Sequence, residues 1–211
     1  MPNQPISSLP ELTAVTSNAE YVVEQSGTTY KIKESTLNPF PTVYGLYAAT
    51  GNSVVISATT VETSLIGGGV GSLSIPANGF KVGDSFRADF GGLVSSKNAD
   101  DIRVRVKAGT ILLADSGLQN MTSATNDIFQ LSLNFTIRKL GAANVASIVT
   151  LGAYHSVKQS NGAIAGFAFN TVNSTTFDTT ILNSLDVTVQ FSSNSAQNSI
   201  YSDIFTLNKI Y

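Results

Sequence analysis

Apolar and polar positions alternate most cleanly over residues 127–140, DIFQLSLNFTIRKL, where Phe129, Leu131, Leu133, Phe135 and Ile137 interleave with Gln130, Ser132, Asn134, Thr136 and Arg138. A period of two puts the first set on one face and the second on the other, so the stretch is predicted to be a β-strand with one dry and one wet face. A helix would scatter the same apolar side chains around its circumference. Such a strand needs partners along both edges and a second sheet over its dry face.

The rest of the chain beyond residue 42 supplies them. Strand-like runs fall at 53–58, 60–66, 71–75, 84–93, 101–108, 110–115, 145–157, 163–170, 185–192 and 199–209. They are separated by breakers such as Pro76-Ala-Asn-Gly79, Ser95-Ser-Lys-Asn98, Gly141 and Ser160-Asn-Gly162. Alternation recurs in Phe86/Ala88/Phe90, Ile102/Val104/Val106, Leu185/Val187/Val189/Phe191 and Phe205/Leu207. Many short strands, no amphipathic helix and no fixed internal period predict an all-β fold, a jelly-roll-like antiparallel β-sandwich. Its core is expected to include Phe129, Leu131, Leu133, Phe135, Leu185, Val187, Val189 and Phe191. Asn194 to Ser199, rich in Asn and Ser, is expected to close a hairpin between the last two strands and so tie the carboxyl terminus into the sheet.

Before residue 42 the pattern changes. Residues 1–19 carry Pro2, Pro5 and Pro10 among small polar residues and read as an extended arm. Glu20 to Glu24 and Thr28 to Lys33 flank Gln25-Ser26-Gly27, a small β-hairpin, with a turn of helix expected at 34–37. Asn38-Pro-Phe-Pro41 disfavours both helix and central strand and marks a boundary. Two domains follow: 1–41, an amino-terminal arm and attachment hairpin, and 42–211, the β-sandwich head. Two strands alone are marginal in water, so the hairpin is expected to pack on a partner.

Charged residues make up only 12 % of the chain, about half the usual share, and Ser, Thr, Asn and Gly replace them. A surface of hydroxyls and amides has little like-charge repulsion, which favours oligomers or particle components. The net charge of −2 and the lack of a Lys/Arg cluster argue against binding to nucleic acid. With no Cys there is neither disulfide nor thiolate chemistry. The first twelve residues do not resemble a secretory signal, and no run approaches the roughly 20 apolar residues of a membrane helix, so no membrane insertion is expected.

Candidate chemistry is sparse. His155, the single histidine, sits in a strand-like segment without the context of a catalytic triad and is expected to be a half-buried structural side chain. Gly67-Gly-Gly-Val-Gly71 lacks the Lys-Ser/Thr of a phosphate loop and reads as a hairpin loop. Asp84, Asp89, Asp100 and Asp101 offer oxygen ligands for calcium but have no EF-hand spacing, and aspartates in loops are commonly turn formers. Sequons at Asn120, Asn134 and Asn173 matter only in a glycosylating compartment. The expectation is a protein with no catalytic residues, no cofactor and no metal, and not an enzyme.

Several segments carry a family resemblance. Ile75-Pro-Ala-Asn-Gly-Phe-Lys-Val-Gly-Asp-Ser-Phe-Arg87 resembles the opening of a domain common in bacteriophage and environmental-virus fibre proteins. Phe177-Asp-Thr-Thr-Ile-Leu-Asn-Ser-Leu-Asp-Val-Thr-Val-Gln-Phe191, continuing through Asn198-Ser-Ile200, is similar to its closing portion. Residues 6–10 and 21–32, ISSLP and YVVEQSGTTYKI, resemble a short amino-terminal element of virion fibre and capsid-associated proteins. The resemblance implies a virion structural protein: a homotrimeric fibre or spike head, attached through its amino-terminal arm to other virion or capsid proteins and meeting a host receptor or glycan. The alternatives are a minor capsid or cement protein without a receptor, and a carbohydrate-binding or carbohydrate-active module.

Overall fold

The computed structural model describes residues 44–211 and the backbone of two earlier strands, and the chain divides into two units, Met1–Thr42 and Val43–Tyr211. In the first, β1 (Glu20–Gln25) pairs antiparallel with β2 (Thr28–Lys33), from Glu20 opposite Lys33 to Gln25 opposite Thr28. This is the expected hairpin. The arm at 1–19 and the helical turn expected at 34–37 lie outside the described residues.

The second unit is built from β3 (Tyr44–Ala49), β4 (Ile56–Ser57), β5 (Thr63–Ser64), β6 (Gly69–Gly71), β7 (Ser74–Ile75), β8 (Ser85–Ser96), β9 (Asp101–Ala108), β10 (Ile111–Asp115), β11 (Gln119–Asn120), β12 (Ala124–Lys139), β13 (Ser147–Val157), β14 (Ile164–Asn173), β15 (Asn183–Phe191) and β16 (Ser199–Lys209). The larger sheet runs β14-β13-β12-β8-β16-β3-β6 and the smaller β10-β9-β15-β5, all pairings antiparallel. The long alternating strand β12 lies inside the larger sheet, with β13 on one edge and β8 on the other. Its dry set is buried and its wet set turned outward, as the period predicts.

The connectivity is that of a jelly roll. β8 and β9 are consecutive yet lie in opposite sheets, and beside them β16 and β15 do the same in reverse order. The pairs β3/β5 and β12/β10 flank them in the two sheets, so a folded ribbon of strand pairs wraps into two layers. The β13–β14 hairpin extends the larger sheet beyond this frame. Between the layers Phe90 stacks on Phe205 at 4.2 Å, Phe80 meets Phe86 and Phe177 edge-on, and Phe129, Tyr154 and Phe167 stack in a row. Burying a core of this kind is what offsets the chain entropy of ordering it.

Several expectations need correction. β15 and β16 do not form a hairpin: they sit in different sheets, and the 192–198 segment crosses between layers. The carboxyl terminus is held instead by β16 between β8 and β3, and by Ser85, whose N–H donates to the Tyr211 carbonyl at 3.1 Å. The glycine run is not a free hairpin loop, since Gly69–Gly71 forms β6 against β3. A Cβ at Gly71 would lie 2.1 Å from the Leu46 carbonyl oxygen, and its φ of +99° suits glycine, so the residue type permits the close approach. The runs at 53–58 and 60–66 shrink to the two-residue strands β4 and β5, and β3 and β11 had no clear alternation to announce them. Leu185 is half-buried at the rim of the core rather than inside it.

Candidate functional site

The sequence candidates do not converge. Asp84 is buried and committed to structure: it accepts from the Lys81 N–H at 2.9 Å and pairs with Lys209 Nζ at 2.6 Å, tying the turn before β8 to the last strand. Asp100 accepts from Asn198 Nδ2 at 2.8 Å and from the Ser193 hydroxyl, and those bonds hold its carboxyl below the usual range. Asp101 accepts from Asn120 Nδ2 at 3.2 Å. Asp89 stands on β8, bonded to Arg87 and Ser132. Among the described residues no three His, Cys, Asp or Glu side chains gather as a metal site. His155 is not half-buried; it projects from the exposed face of β13. Of the sequon residues, Asn120 and Asn134 are exposed, whereas Asn173 is buried and fully engaged.

One cluster escaped the sequence reading. Arg103, Arg105 and Lys107 alternate along β9 and therefore share the outer face of the smaller sheet, so three cations do stand together. Glu62 and Asp115 lie among them. Arg105 NH1 is 2.6 Å from Glu62 Oε2, Lys107 pairs with the other Glu62 oxygen, and Arg103 grips Asp115 with Nε at 2.8 Å and NH2 at 2.5 Å. Burial pushes both carboxyls up, but hydrogen bonds from Lys107 and Thr188 to Glu62, and from Arg103 and Gly117 to Asp115, outweigh it and leave both below their ordinary range. Asp186, opposite Lys107 on β15, adds a third carboxylate and accepts from the Ser64 hydroxyl at 2.6 Å. The cations are thus matched by acids, and the patch holds the short strand β5 rather than presenting free positive charge. The R-V-R-V-K alternation was the signal for it; its acidic partners lie too far off in sequence to be read.

A cavity of about 60 Å³ lies between the sheets, walled by Leu73, Ile75, Phe80, Phe135, Leu185 and Asn183. Asn183 donates to the Asp178 and Ile181 carbonyls at 2.9 Å each, while its buried Oδ1 has no partner within the protein. An apolar hole with one free acceptor lacks the roughly two to four polar partners that hold a buried water in place. It is well under the roughly 300 Å³ at which pockets for substrate-sized molecules begin.

The outer face of the larger sheet is the more extensive feature. In register across five strands stand Tyr201, Leu93, Ile128, Val157 and Ile164; then Ile204, Gly91, Gln130, His155 and Gly166; then Thr206, Asp89, Ser132, Ala153 and Ala168; then Asn208, Arg87, Asn134, Leu151 and Asn170. The charged residues in these four rows are Arg87 and Asp89, which pair with each other, Nε to Oδ1 at 3.0 Å. Gly91 has no side chain to fill its place, and an open groove forms there, bordered by Asp89, Gln130, His155 and Ile204. Ile128, Leu151, Ile164 and Ile204 are all at least half exposed. The exposed apolar side chains of this face concentrate in the first of these rows, and its charge is confined to one ion pair.

No protein-family model matches the chain, and no curated protein is significantly similar to it.

Proposed function

We propose that the chain is a virion structural protein, a homotrimeric fibre or spike head on the particle surface that serves host attachment and is joined to the particle through residues 1–41. The observation that most supports this reading is the outer face of the larger sheet, where one apolar row and three mixed rows carry a single, self-neutralised ion pair. An exposed apolar row flanked by uncharged residues suits contact with another protein surface, and the lack of net charge suits a copy of the same chain. Closed symmetry limits such contact, and the fibre-head resemblance of 75–87 and 177–200 selects a threefold axis. The amino-terminal arms of three copies would engage other virion or capsid proteins together and gain avidity by effective concentration. The apolar face equally favours a second reading, a minor capsid or cement protein whose partners are capsid neighbours.

Native mass measurement tests the assembly. The expected species is a trimer of about 66 kDa, three times the 22.1 kDa chain, and replacing Leu93 and Ile128 together by Lys should return it to a monomer. A 22.1 kDa species at micromolar concentration for the unaltered chain overturns the trimer. Binding of the purified head to host cells supports attachment; binding to particles alone supports the cement reading.

A further inference from the structure

Among the described residues the sheets expose edges of very different character. β5, β7, β4 and β11 are two residues long and β6 is three, too short to template a partner. β10 has five residues, a register shift between Leu112 and Ala114, and Asp115 locked to Arg103. Short length, bulges and charge are the devices by which sheet edges avoid pairing with other chains. β14 uses none of them. It runs ten residues, IAGFAFNTVN, with no charge and no proline, and it pairs with β13 from Ile148 opposite Asn173 to Val157 opposite Ile164 without a shift. No described strand is hydrogen-bonded along its other side, although β10 of the smaller sheet packs against β14 and is tied to its last residue by the Asn173–Leu112 bond. At about 3.3 Å per residue this is an edge roughly 33 Å long, on which alternate residues direct N–H and C=O groups away from β13.

We propose that the free edge of β14 is a docking site for the β14 strand of a second copy of this chain, paired antiparallel about a twofold axis and joining two large sheets into one. Identity of the partner strand follows from three features. A neutral edge offers no charge with which to select an unlike partner, and none with which to repel its own copy. Antiparallel pairing of identical strands is isologous, so it satisfies both edges in one contact and then stops. Phe167 and Phe169, half-buried on the inner side of β14, and Ile164 and Val172, 73 % and 50 % exposed, give each face of the joined strands apolar side chains to cover. The contact is separate from a threefold head, because the two use different symmetry axes: twofold pairing would link one head to another.

Because the chain has no cysteine, single substitutions read this contact directly. Cys is placed singly in the full chain at each position from 164 to 172 except Gly166, where a Cβ would meet the Tyr154 carbonyl oxygen at 2.4 Å. After mild oxidation, disulfide-linked dimer on a denaturing gel should peak at one position, about tenfold or more above Cys at the exposed loop residue Ser160. It should vanish two residues away, where the symmetry mates are displaced by about 13 Å along the strands. An axis on Gly166 itself is read by mixing A165C with F167C protein, which then crosslink to each other and not to themselves. Thermal melts confirm that each variant is folded, and the exposed Ala168, Asn170 and Val172 sites keep the test open should Phe167 or Phe169 variants unfold. Equal crosslinking at all positions, or none above the Ser160 control at any, overturns the proposal.

Discussion

Both ends of the buried Asn173 amide are occupied: Nδ2 donates to the Leu112 carbonyl at 2.8 Å and to Thr176 Oγ1 at 2.7 Å, while Oδ1 accepts from the N–H groups of Thr175, Thr176 and Phe177. One side chain therefore shapes the turn after β14 and links it to the opposite sheet. Asn173→Ala should cost at least about 2 kcal/mol in denaturant unfolding, since buried groups left unpaired cost about 1–3 kcal/mol each. For the same reason Asn173 should stay unmodified when the chain is made in a glycosylating host, whereas Asn134 is open; peptide mass mapping reads both. The Glu62–Asp115 cluster sets the acid response. Both carboxyls titrate lower folded than unfolded, so their contribution is present in full above the unfolded values of about 4 and is lost as pH falls through the folded ones. Stability should drop as the pH is taken below about 4, and Glu62→Gln with Asp115→Asn should flatten that limb of the curve in thermal melts across pH. An unchanged acid limb would count against the cluster as its source.

At the scale of elements, β12 is the strand on which the larger sheet depends, with every second side chain from Phe129 to Ile137 buried. Leu133→Ala or Phe135→Ala should cost about 2–5 kcal/mol, and Asn134→Ala, one residue away on the wet face, within about 0.5 kcal/mol of nothing. Equal costs on both faces would refute the register. Gly92 marks a second constraint. β16 changes register between Ser202 and Ile204 where it passes Gly92, and a Cβ there would lie 2.1 Å from the Tyr201 carbonyl oxygen. Gly92→Ala must push two central strands apart and should lower the melting temperature by many degrees, whereas Gly117→Ser at an open turn, with nothing within 4 Å, should bear only the milder strain of its positive φ.

For the whole molecule, the division after Thr42 leaves the sandwich with its own core. A chain beginning at Val43 should melt cooperatively near the temperature of the full chain, and unfolding of that truncation would show the two units to be energetically one. Most of the fold was legible at this scale from spacing alone, because strands of alternating character separated by turn residues have few ways to hide one face each. The assembly face was less legible. Its rows mix Leu93 from β8, Ile128 from β12, Val157 from β13 and Tyr201 from β16, and the outward sides of β8, β12 and β16 each show only one or two apolar residues.

By itself the sequence determined the all-β class, the inward set of β8, β9 and β12 and most of that of β15 and β16, the paired β1–β2 hairpin and the scarcity of charge that leaves β14 undefended. These are local properties: a pleated strand turns successive side chains to opposite faces whatever surrounds it. Only the tertiary structure decided that β15 and β16 part into different sheets, that Glu62 reaches Arg105 and Thr188, and that His155 looks outward beside Gln130 and Gly166. Such facts depend on which strands become neighbours. That choice is made by packing and hydrogen bonding across the whole chain, between residues more than a hundred positions apart, and no window of sequence contains it.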